Sequence, residues 1–334
     1  MAQIIVSDSN LTPVVQIVTW MSLVISALAF FTHAGITIYT SRAVNLETVL
    51  VFCSLVFGTA QSIAVSVQTS NGFGKPSNLL SEDQLHAMLK ASTEENSQYA
   101  ATILFFFAVA FSKFAIVAFI HGLTPKKLDR NLNYGLGGFA LVWLIVGVFV
   151  SAFQCKPPDT WDLSSGLCID RVAWWDAATI TNMISEVAIV ALEVGIMIPL
   201  HVAWPRKTFI ISLFACRLLV VCVSAIQLYY FHKDSSTSPL RTDFALGYWR
   251  STVCNQIVQG LAIVTTSLPY AKLFMECFES GLIRVDELRR KGEHSTEGSG
   301  KGSGKGYKLL DISRNGQQDG ISTTKTFGVE RAQS

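Results

Sequence analysis

The sequence predicts an all-α membrane protein, a bundle of seven transmembrane helices with an outside N-terminus and a cytoplasmic C-terminus. Half of the 334 residues are hydrophobic and only 15% are charged, whereas soluble proteins carry about 25% charged residues. The mean hydropathy is +0.40. The apolar residues also gather in seven long runs, each near the roughly 20 residues that a helix needs to cross a bilayer. We therefore expect lipid, rather than water, to cover most of this surface.

The seven apolar runs follow one another with short polar connections between them. A buried core helix is the alternative reading of any single run, but seven runs in series favour membrane spans. The second and fifth runs are the least apolar, because Gln61 lies in the second and Glu186 and Glu193 lie in the fifth. The predicted spans are residues 14–39, 46–67, 99–120, 132–153, 175–200, 208–231 and 248–274.

Basic residues in the connections predict the orientation, because loops rich in Lys and Arg are retained in the cytoplasm. They are more numerous after the first, third, fifth and seventh runs than on the opposite side. We therefore expect a short extracellular N-terminus (1–13), a transmembrane domain (14–278), and a cytoplasmic juxtamembrane segment with a tail (279–334). The tail contains a Gly/Ser/Lys stretch at 295–306 that has too few apolar residues to fold, which predicts disorder.

Two of the seven cysteines, Cys155 and Cys168, lie in the predicted outer loop between the fourth and fifth spans. An oxidising compartment favours a disulfide between them. In the entropic account this bond would restrain the loop by about 3 kcal/mol. Two free thiols are the alternative. The other five cysteines lie in or beside apolar runs, where a cysteine serves as a small apolar side chain.

Charged residues inside the apolar runs are the first candidates for a site, because each costs a few kcal/mol in the bilayer unless it is paired or hydrated. Lys113, Glu193 and Arg217 come to similar depths when residues are counted from the predicted inner helix ends at about 1.5 Å each. We predict that these three residues form one interhelical charge cluster. Two alternatives stay open: Lys113 and Arg217 each reach the headgroups separately, or the cluster has only a structural role.

Glu186 has no basic partner at its expected depth, near the middle of the bilayer. We expect it to be protonated, to face a hydrated cavity, or to bond to amide side chains of the seventh span. Two interpretations are equally open: Glu186 lines a ligand cavity or proton path, or it is a neutral acid whose hydrogen bonds are satisfied within the protein. The candidate lining residues of a ligand cavity are Asn182, Glu186, Asn255, Gln256 and Gln259.

Several short motifs occur in a fixed order along the chain. They are the runs at 71–75, 111–114 and 153–157, then Trp161, Gly166 and Cys168, Asn182 and Glu186, Pro199 and Trp204, and the runs at 267–270 and 278–284. Together they resemble the fungal rhodopsin-like integral membrane proteins, a seven-helix family that includes receptor candidates for sensing host surfaces. The resemblance spans about residues 14–290 and implies a membrane protein with an outside N-terminus.

The chain departs from the family pattern at three places. Arg217 stands where the family usually has a small residue, and Gln227 stands where a basic residue is common. The first thirteen residues also contain no cysteine, so we do not expect the cysteine-rich outer domain that some receptor-like members carry. The family name does not imply retinal here, because a Schiff base needs a lysine amine deep in the seventh helix. Lys272, at the cytoplasmic edge, is the only lysine of that span.

Other functional classes lack their sequence signatures. The chain has no P-loop, no Gly-x-Ser-x-Gly and no His-Glu-x-x-His motif, so we expect no enzyme. Its six histidines are scattered, so we expect no metal site and no cofactor. A net charge of +2 gives no reason to expect nucleic-acid binding.

We therefore expect a receptor or sensor of an extracellular cue in the plasma membrane, without retinal and with an unidentified ligand. Its ligand cavity would lie beneath the Cys155–Cys168 loop, and a cytosolic signalling protein would contact the basic segment 284–291. The alternative is a proton- or cation-coupled transporter that uses Glu186 and Glu193 as a relay. A purely structural membrane scaffold is the third possibility.

Overall fold

The computed structural model describes residues 11–41, 45–70, 92–124, 126–154, 169–199, 204–236 and 249–270. Within these ranges the secondary structure is entirely helical. In chain order the helices are α1 (Thr12–Ser41), α2 (Leu46–Ser70), α3 (Ser92–Leu123), α4 (Lys127–Ala152), α5 (Arg171–Met197), α6 (Trp204–Ala215), α7 (Leu218–Ser236) and α8 (residues 249–270).

In the described part of the chain, six helical segments are long and apolar enough to cross a membrane: α1 to α5, and α6 with α7 counted together as Lys207–Asp234. Many large apolar side chains on these helices are exposed, among them Met21, Phe31 and Phe149. Lipid is the solvent that suits such a surface. The structure thus supports the helical membrane bundle, whereas the side on which each terminus lies stays a prediction.

Helix α8 occupies the interior of the bundle. None of its described residues is exposed, and it carries more amide and hydroxyl side chains than an apolar span requires. Polar contacts join it to four other helices. Ser22 Oγ of α1 donates to the carbonyl of Gln256 (2.9 Å), and Gln256 Nε2 donates to Gln61 Oε1 of α2 (2.8 Å). Ser112 Oγ of α3 donates to the carbonyl of Ala262 (2.8 Å), and Gln227 Nε2 of α7 donates to Asn255 Oδ1 (2.8 Å).

One glycine allows α8 to approach α1 closely. A Cβ atom at Gly260 would lie 2.2 Å from Ser22 Oγ, well inside van der Waals contact. Small residues permit this kind of close backbone approach between membrane helices. The same serine donates its hydroxyl hydrogen to the carbonyl of Gln256, so packing and hydrogen bonding fix the α1–α8 contact together.

The helix ends differ from the predicted ones at positions that affect the site. Helix α3 continues to Leu123, beyond the predicted end at 120, and α5 ends at Met197 rather than at 200. The predicted sixth span is interrupted at Cys216 and Arg217, where i→i+3 hydrogen bonds replace the α-helical pattern, such as Arg217 N to Phe214 O (3.0 Å) and Val220 N to Arg217 O (3.0 Å). Such tight turns within a span often mark a hinge.

Several predictions fall on parts of the chain that lie outside the described residues. They are the Cys155–Cys168 disulfide, most of the N-terminal segment 1–13, and the whole of 279–334 with its basic segment 284–291. These stay predictions.

Candidate functional site

The centre of the bundle contains one carboxylate between two cations. Lys113 Nζ of α3 lies 2.9 Å from Glu186 Oε1 of α5, and Arg217 Nε lies 2.6 Å from Glu186 Oε2. The three side chains are 1%, 0% and 2% exposed. We call Lys113, Glu186 and Arg217 the ion-paired centre.

Hydrogen bonds extend the ion-paired centre to α8. Lys113 Nζ donates to the hydroxyl of Ser185 and to the carbonyl of Asn182 (3.4 Å). Arg217 Nη1 donates to Thr266 Oγ1 of α8 (3.1 Å). The Thr266 hydroxyl also lies 2.9 Å from the hydroxyl of Ser112 in α3. One carboxylate therefore connects α3, α5, the turn between α6 and α7, and α8.

The charges of the centre do not cancel by themselves. With Glu186 ionised, two cations face one carboxylate, and Lys113 Nζ also lies 5.6 Å from the centre of the Trp143 ring. The ring face adds a favourable cation–π interaction for the ammonium. Removing one partner of such a buried pair leaves an uncompensated charge, which typically costs about 3–5 kcal/mol. The residues of the centre therefore depend strongly on one another.

The predicted cluster of Lys113, Glu193 and Arg217 leaves out the acid that both cations contact. The structure pairs both cations with Glu186, so the expectation that Glu186 lacks a basic partner is wrong. The error comes from the helix ends. Lys113 lies ten residues before Leu123, the end of α3, and Glu186 lies eleven before Met197, the end of α5. Glu193 lies only four residues before that end, so it sits nearer the end of the bundle.

Glu193 is nevertheless buried. It is 2% exposed, and neither of its carboxyl oxygens has a hydrogen-bond partner among the described residues. It lies seven residues after Glu186, hence on the same face of α5. Arg217 Nη2 is likewise without a hydrogen-bond partner within the described ranges. The two acids on one helix face therefore differ in their contacts: Glu186 touches two cations, whereas Glu193 only lies within electrostatic range of Arg217.

The structure places the five predicted cavity residues in different surroundings. Asn182 lines a small cavity between α3, α5 and α7, and Glu186 lies within the ion-paired centre. Asn255 accepts a hydrogen bond from Gln227. Gln256 and Gln259 instead contact α2, where Gln256 binds Gln61 and Gln259 Nε2 donates to the carbonyl of Gly58 (3.3 Å). The small cavity measures about 10 Å³, roughly the room that one water molecule needs.

A second polar cluster joins α1, α2 and α8 at the end of the bundle where α8 ends. His33 Nε2 lies 3.2 Å from Thr48 Oγ1, and the His33 ring lies 4.0 Å from the ring of Tyr270. The Tyr270 hydroxyl donates to the carboxylate of Glu47. The sequence alone does not predict this cluster, because Tyr270 is separated from His33 by 237 positions in the chain.

Sequence reasoning also misses Ser185 and Thr266, which bind the charged groups, and Ser112, whose hydroxyl lies beside that of Thr266. Hydroxyl residues are frequent in membrane helices and usually bond to their own backbone, so nothing in the sequence distinguishes these three. The position of Ser185 beside Glu186 was the one available signal. Metal binding has no support within the described ranges, where no group of three or more His, Cys, Asp or Glu side chains is placed to hold an ion.

Comparison with known families agrees with this architecture. Residues 32–276 match the fungal rhodopsin domain, which covers most of the chain and all of the ion-paired centre. The chain belongs to the fungal rhodopsin family. This confirms the resemblance drawn from the sequence motifs. No curated protein and no solved structure matches the chain, so the family match carries the comparison.

The name of the fungal rhodopsin family raises the question of retinal, and the described residues of the bundle do not fit it. Retinal is held as a Schiff base by a lysine amine, and residues 249–270 contain no lysine. Lys113 is the one buried lysine among the described residues. Its amine is bound to Glu186 and Ser185, and the cavity beside it is close to the size of one water molecule.

Proposed function

We propose that this fungal rhodopsin family member is a membrane receptor or sensor of an extracellular cue, and that its ion-paired centre is the switch that changes with the bound state. The observation that carries the proposal is the pairing of Glu186 with both Lys113 and Arg217. Charged side chains within a membrane bundle are costly, and those that occur there usually serve a function.

The position of Arg217 favours a switch. Its backbone forms the turn between α6 and α7, while its side chain binds Glu186 of α5 and Thr266 of α8. Any change in this contact would alter how the two halves of the sixth span meet. Packed cores respond to such changes by moving between discrete arrangements rather than by gradual deformation. A cue that shifts α5 or α7 would thus also change the position of α6, through the contacts of Arg217.

The proposal also covers the cofactor, the membrane, the orientation and the cytosolic partner of the protein. The protein acts without retinal and without enzymatic activity, and it resides in the plasma membrane. Its N-terminus faces outward, and a cytosolic signalling protein contacts the basic segment 284–291. Support for the absence of retinal comes from the engaged amine of Lys113 and from the lysine-free sequence of α8. Adding retinal to the purified protein should therefore produce no red-shifted visible absorption band.

The switch is tested by comparing two acids of α5 in the full-length protein in lipid nanodiscs. Spin labels are placed, as non-natural amino acids, at the exposed positions Leu46 of α2 and Thr208 of α6. Glu186→Gln should add a second distance population, shifted by about 2 Å or more, because Arg217 loses its charged partner. Glu193→Gln is the matched control, and it should leave the distribution unchanged. Identical distributions in all three proteins would contradict the switch.

One observation favours the alternative of a proton- or cation-coupled transporter. Transporters often use interrupted helices at their binding sites, and the sixth span is interrupted at Arg217, near the buried acids Glu186 and Glu193. Proteoliposomes with a trapped pH-sensitive dye test this directly under an imposed membrane potential. The receptor proposal predicts the proton leak of empty liposomes. Flux above that level that Glu186→Gln abolishes would establish the transporter and overturn the receptor.

A further inference from the structure

The small cavity beside the ion-paired centre is bracketed by polar side chains from two facing helices. Thr179 and Asn182 lie three residues apart on α5, and Ser224 and Gln227 lie three residues apart on α7. Residues at this spacing share one face of a helix. The other walls are mainly aromatic and come from α3, α4 and α5, namely Phe105, Phe106, Trp143 and Trp175.

Two buried polar atoms of the cavity lining are unsatisfied by the protein. Asn182 Oδ1 and Ser224 Oγ have no hydrogen-bond partner among the described residues, although their side chains are only 4% and 1% exposed. Buried polar atoms are almost always hydrogen-bonded in native proteins, and leaving one without a partner costs about 1–3 kcal/mol. The cavity between them measures about 10 Å³, which is at the lower limit of the space that a cavity needs to hold one water molecule.

The charges around the cavity select a neutral occupant. Lys113 donates to the backbone carbonyl of Asn182, and the ion-paired centre to which Lys113 belongs has two cations for one carboxylate. A metal cation would be repelled by this excess of positive charge. An anion would face the electron-rich faces of aromatic rings and the amide oxygen of Asn182. A small neutral hydrogen-bond donor suits both the size and the charge of the site.

We propose that this cavity is a binding site for one water molecule, which donates to Asn182 Oδ1 and exchanges a second hydrogen bond with Ser224 Oγ. Thr179 and Gln227 are at hand for a third bond, and buried waters typically make about three. The water joins α5 to α7 beside the ion-paired centre. It thereby continues the polar contacts from Lys113 through Asn182 towards Gln227 and its partner Asn255 of α8. The proposal holds whether the protein signals or transports.

The thermal stability of serine variants separates a hydrated cavity from a dry one. Removing the Ser224 hydroxyl from a hydrated site deprives the water of a partner, so Ser224→Ala should lower the Tm of the purified protein by about 2–4 °C. In a dry cavity the same change removes an unsatisfied atom and should leave Tm unchanged or raise it. Ser151→Ala is the matched control, because the Ser151 hydroxyl of α4 is also buried and unpartnered within the described ranges but does not line this cavity.

Coupling between the two sides of the cavity gives a second measurement. In the Asn182→Leu background the water has already lost one hydrogen-bond partner. There Ser224→Ala should lower Tm by less than half of the decrease that it causes in the unaltered protein. Ser151→Ala should have the same effect in both backgrounds. A cryo-EM map of the unaltered protein near 2 Å resolution should also show a density peak within hydrogen-bond distance of Asn182 Oδ1 and Ser224 Oγ. No peak there, or a Tm for Ser224→Ala at or above that of the unaltered protein, would overturn the proposal.

Discussion

The surroundings of Glu186 and Glu193 differ sharply, although both acids lie on one face of α5 and both are almost completely buried. Glu186 lies between Lys113 of α3 and Arg217, and Arg217 also donates to Thr266 of α8. The oxygens of Glu193 have no hydrogen-bond partner among the described residues. The sequence presents the two residues as near equivalents, whereas the structure gives one of them two ionic partners.

The difference in contacts follows from the depth of the two acids in the bundle. Residues on neighbouring membrane helices pair only when they lie at one level, and two helical turns separate Glu186 from Glu193 by about 10 Å. Lys113 and Arg217 reach the level of Glu186. We therefore expect substitutions around Glu186 to have large effects and substitutions around Glu193 to have small ones.

Replacing Glu186 with Gln should have the largest effect on stability. The amide leaves Lys113 and Arg217 as buried cations without a counter-ion, which should lower the free energy of unfolding by about 3–5 kcal/mol. Glu193→Gln should change it by less than about 1 kcal/mol. Denaturation of both variants in mixed micelles, followed by tryptophan fluorescence, measures the difference. Equal losses for the two variants would remove the distinction between the acids.

Replacing Arg217 with Lys should have the next largest effect. The compact ammonium group of lysine lacks the planar fork of N–H donors with which the guanidinium binds Glu186 and Thr266 together. Loss of the charged bond to the Thr266 hydroxyl should cost about 1.5–3 kcal/mol. The same denaturation assay measures it. In the Thr266→Val background the Arg217→Lys change should cost less, and full retention of its cost there would show that the Thr266 contact is not the cause.

Glycine substitutions test how tightly α3 and α4 pack beside the ion-paired centre. A Cβ atom at Gly147 of α4 would lie 2.4 Å from the Phe106 ring, whereas a Cβ atom at Gly138 of the same helix meets nothing within 4 Å. Phe106 packs against Trp143, the ring that faces Lys113. Gly147→Ala should therefore cost about 1–3 kcal/mol through overpacking, measured by thermal denaturation. Gly138→Ala should be neutral or slightly stabilising, and a larger loss there than at Gly147 would count against this packing.

The smallest expected effect belongs to the cluster at the end of α8. Tyr270→Phe removes the hydroxyl that donates to Glu47, while the contact of the ring with His33 is kept. We expect a loss of about 0.5–1.5 kcal/mol and no additional distance population between spin labels at Leu46 and Thr208. A population shift as large as that of Glu186→Gln would place the main switch at this cluster instead.

The sequence predicts six of its seven spans well, because the described residues contain six helical segments long and apolar enough to cross a membrane. Runs of about 20 apolar residues are rare outside membrane helices. It also identifies Lys113, Glu186 and Arg217 as unusual, since each is an ionisable residue within an apolar run. It does not predict their pairing. That depends on where α3 and α5 end, and a shift of three residues moves a side chain by about 4.5 Å along a helix.

Two further features are beyond sequence reasoning for physical reasons. The sequence contains no proline or glycine near Cys216 and Arg217 that would predict the interruption of the helix there. Serines and threonines that bind the charged groups look like the many that bond to their own helix, as Thr59 does with the carbonyl of Leu55. Only the three-dimensional arrangement brings Ser112, Thr266 and Arg217 together.

A pair of double-mutant cycles tests the central claim most directly. One cycle combines Arg217→Gln with Glu186→Gln, and the other combines Arg217→Gln with Glu193→Gln, with the free energy of unfolding measured for each protein. We predict a coupling energy of about 1.5 kcal/mol or more between Arg217 and Glu186, and about 0.5 kcal/mol or less between Arg217 and Glu193. Stronger coupling to Glu193 than to Glu186 would contradict the account.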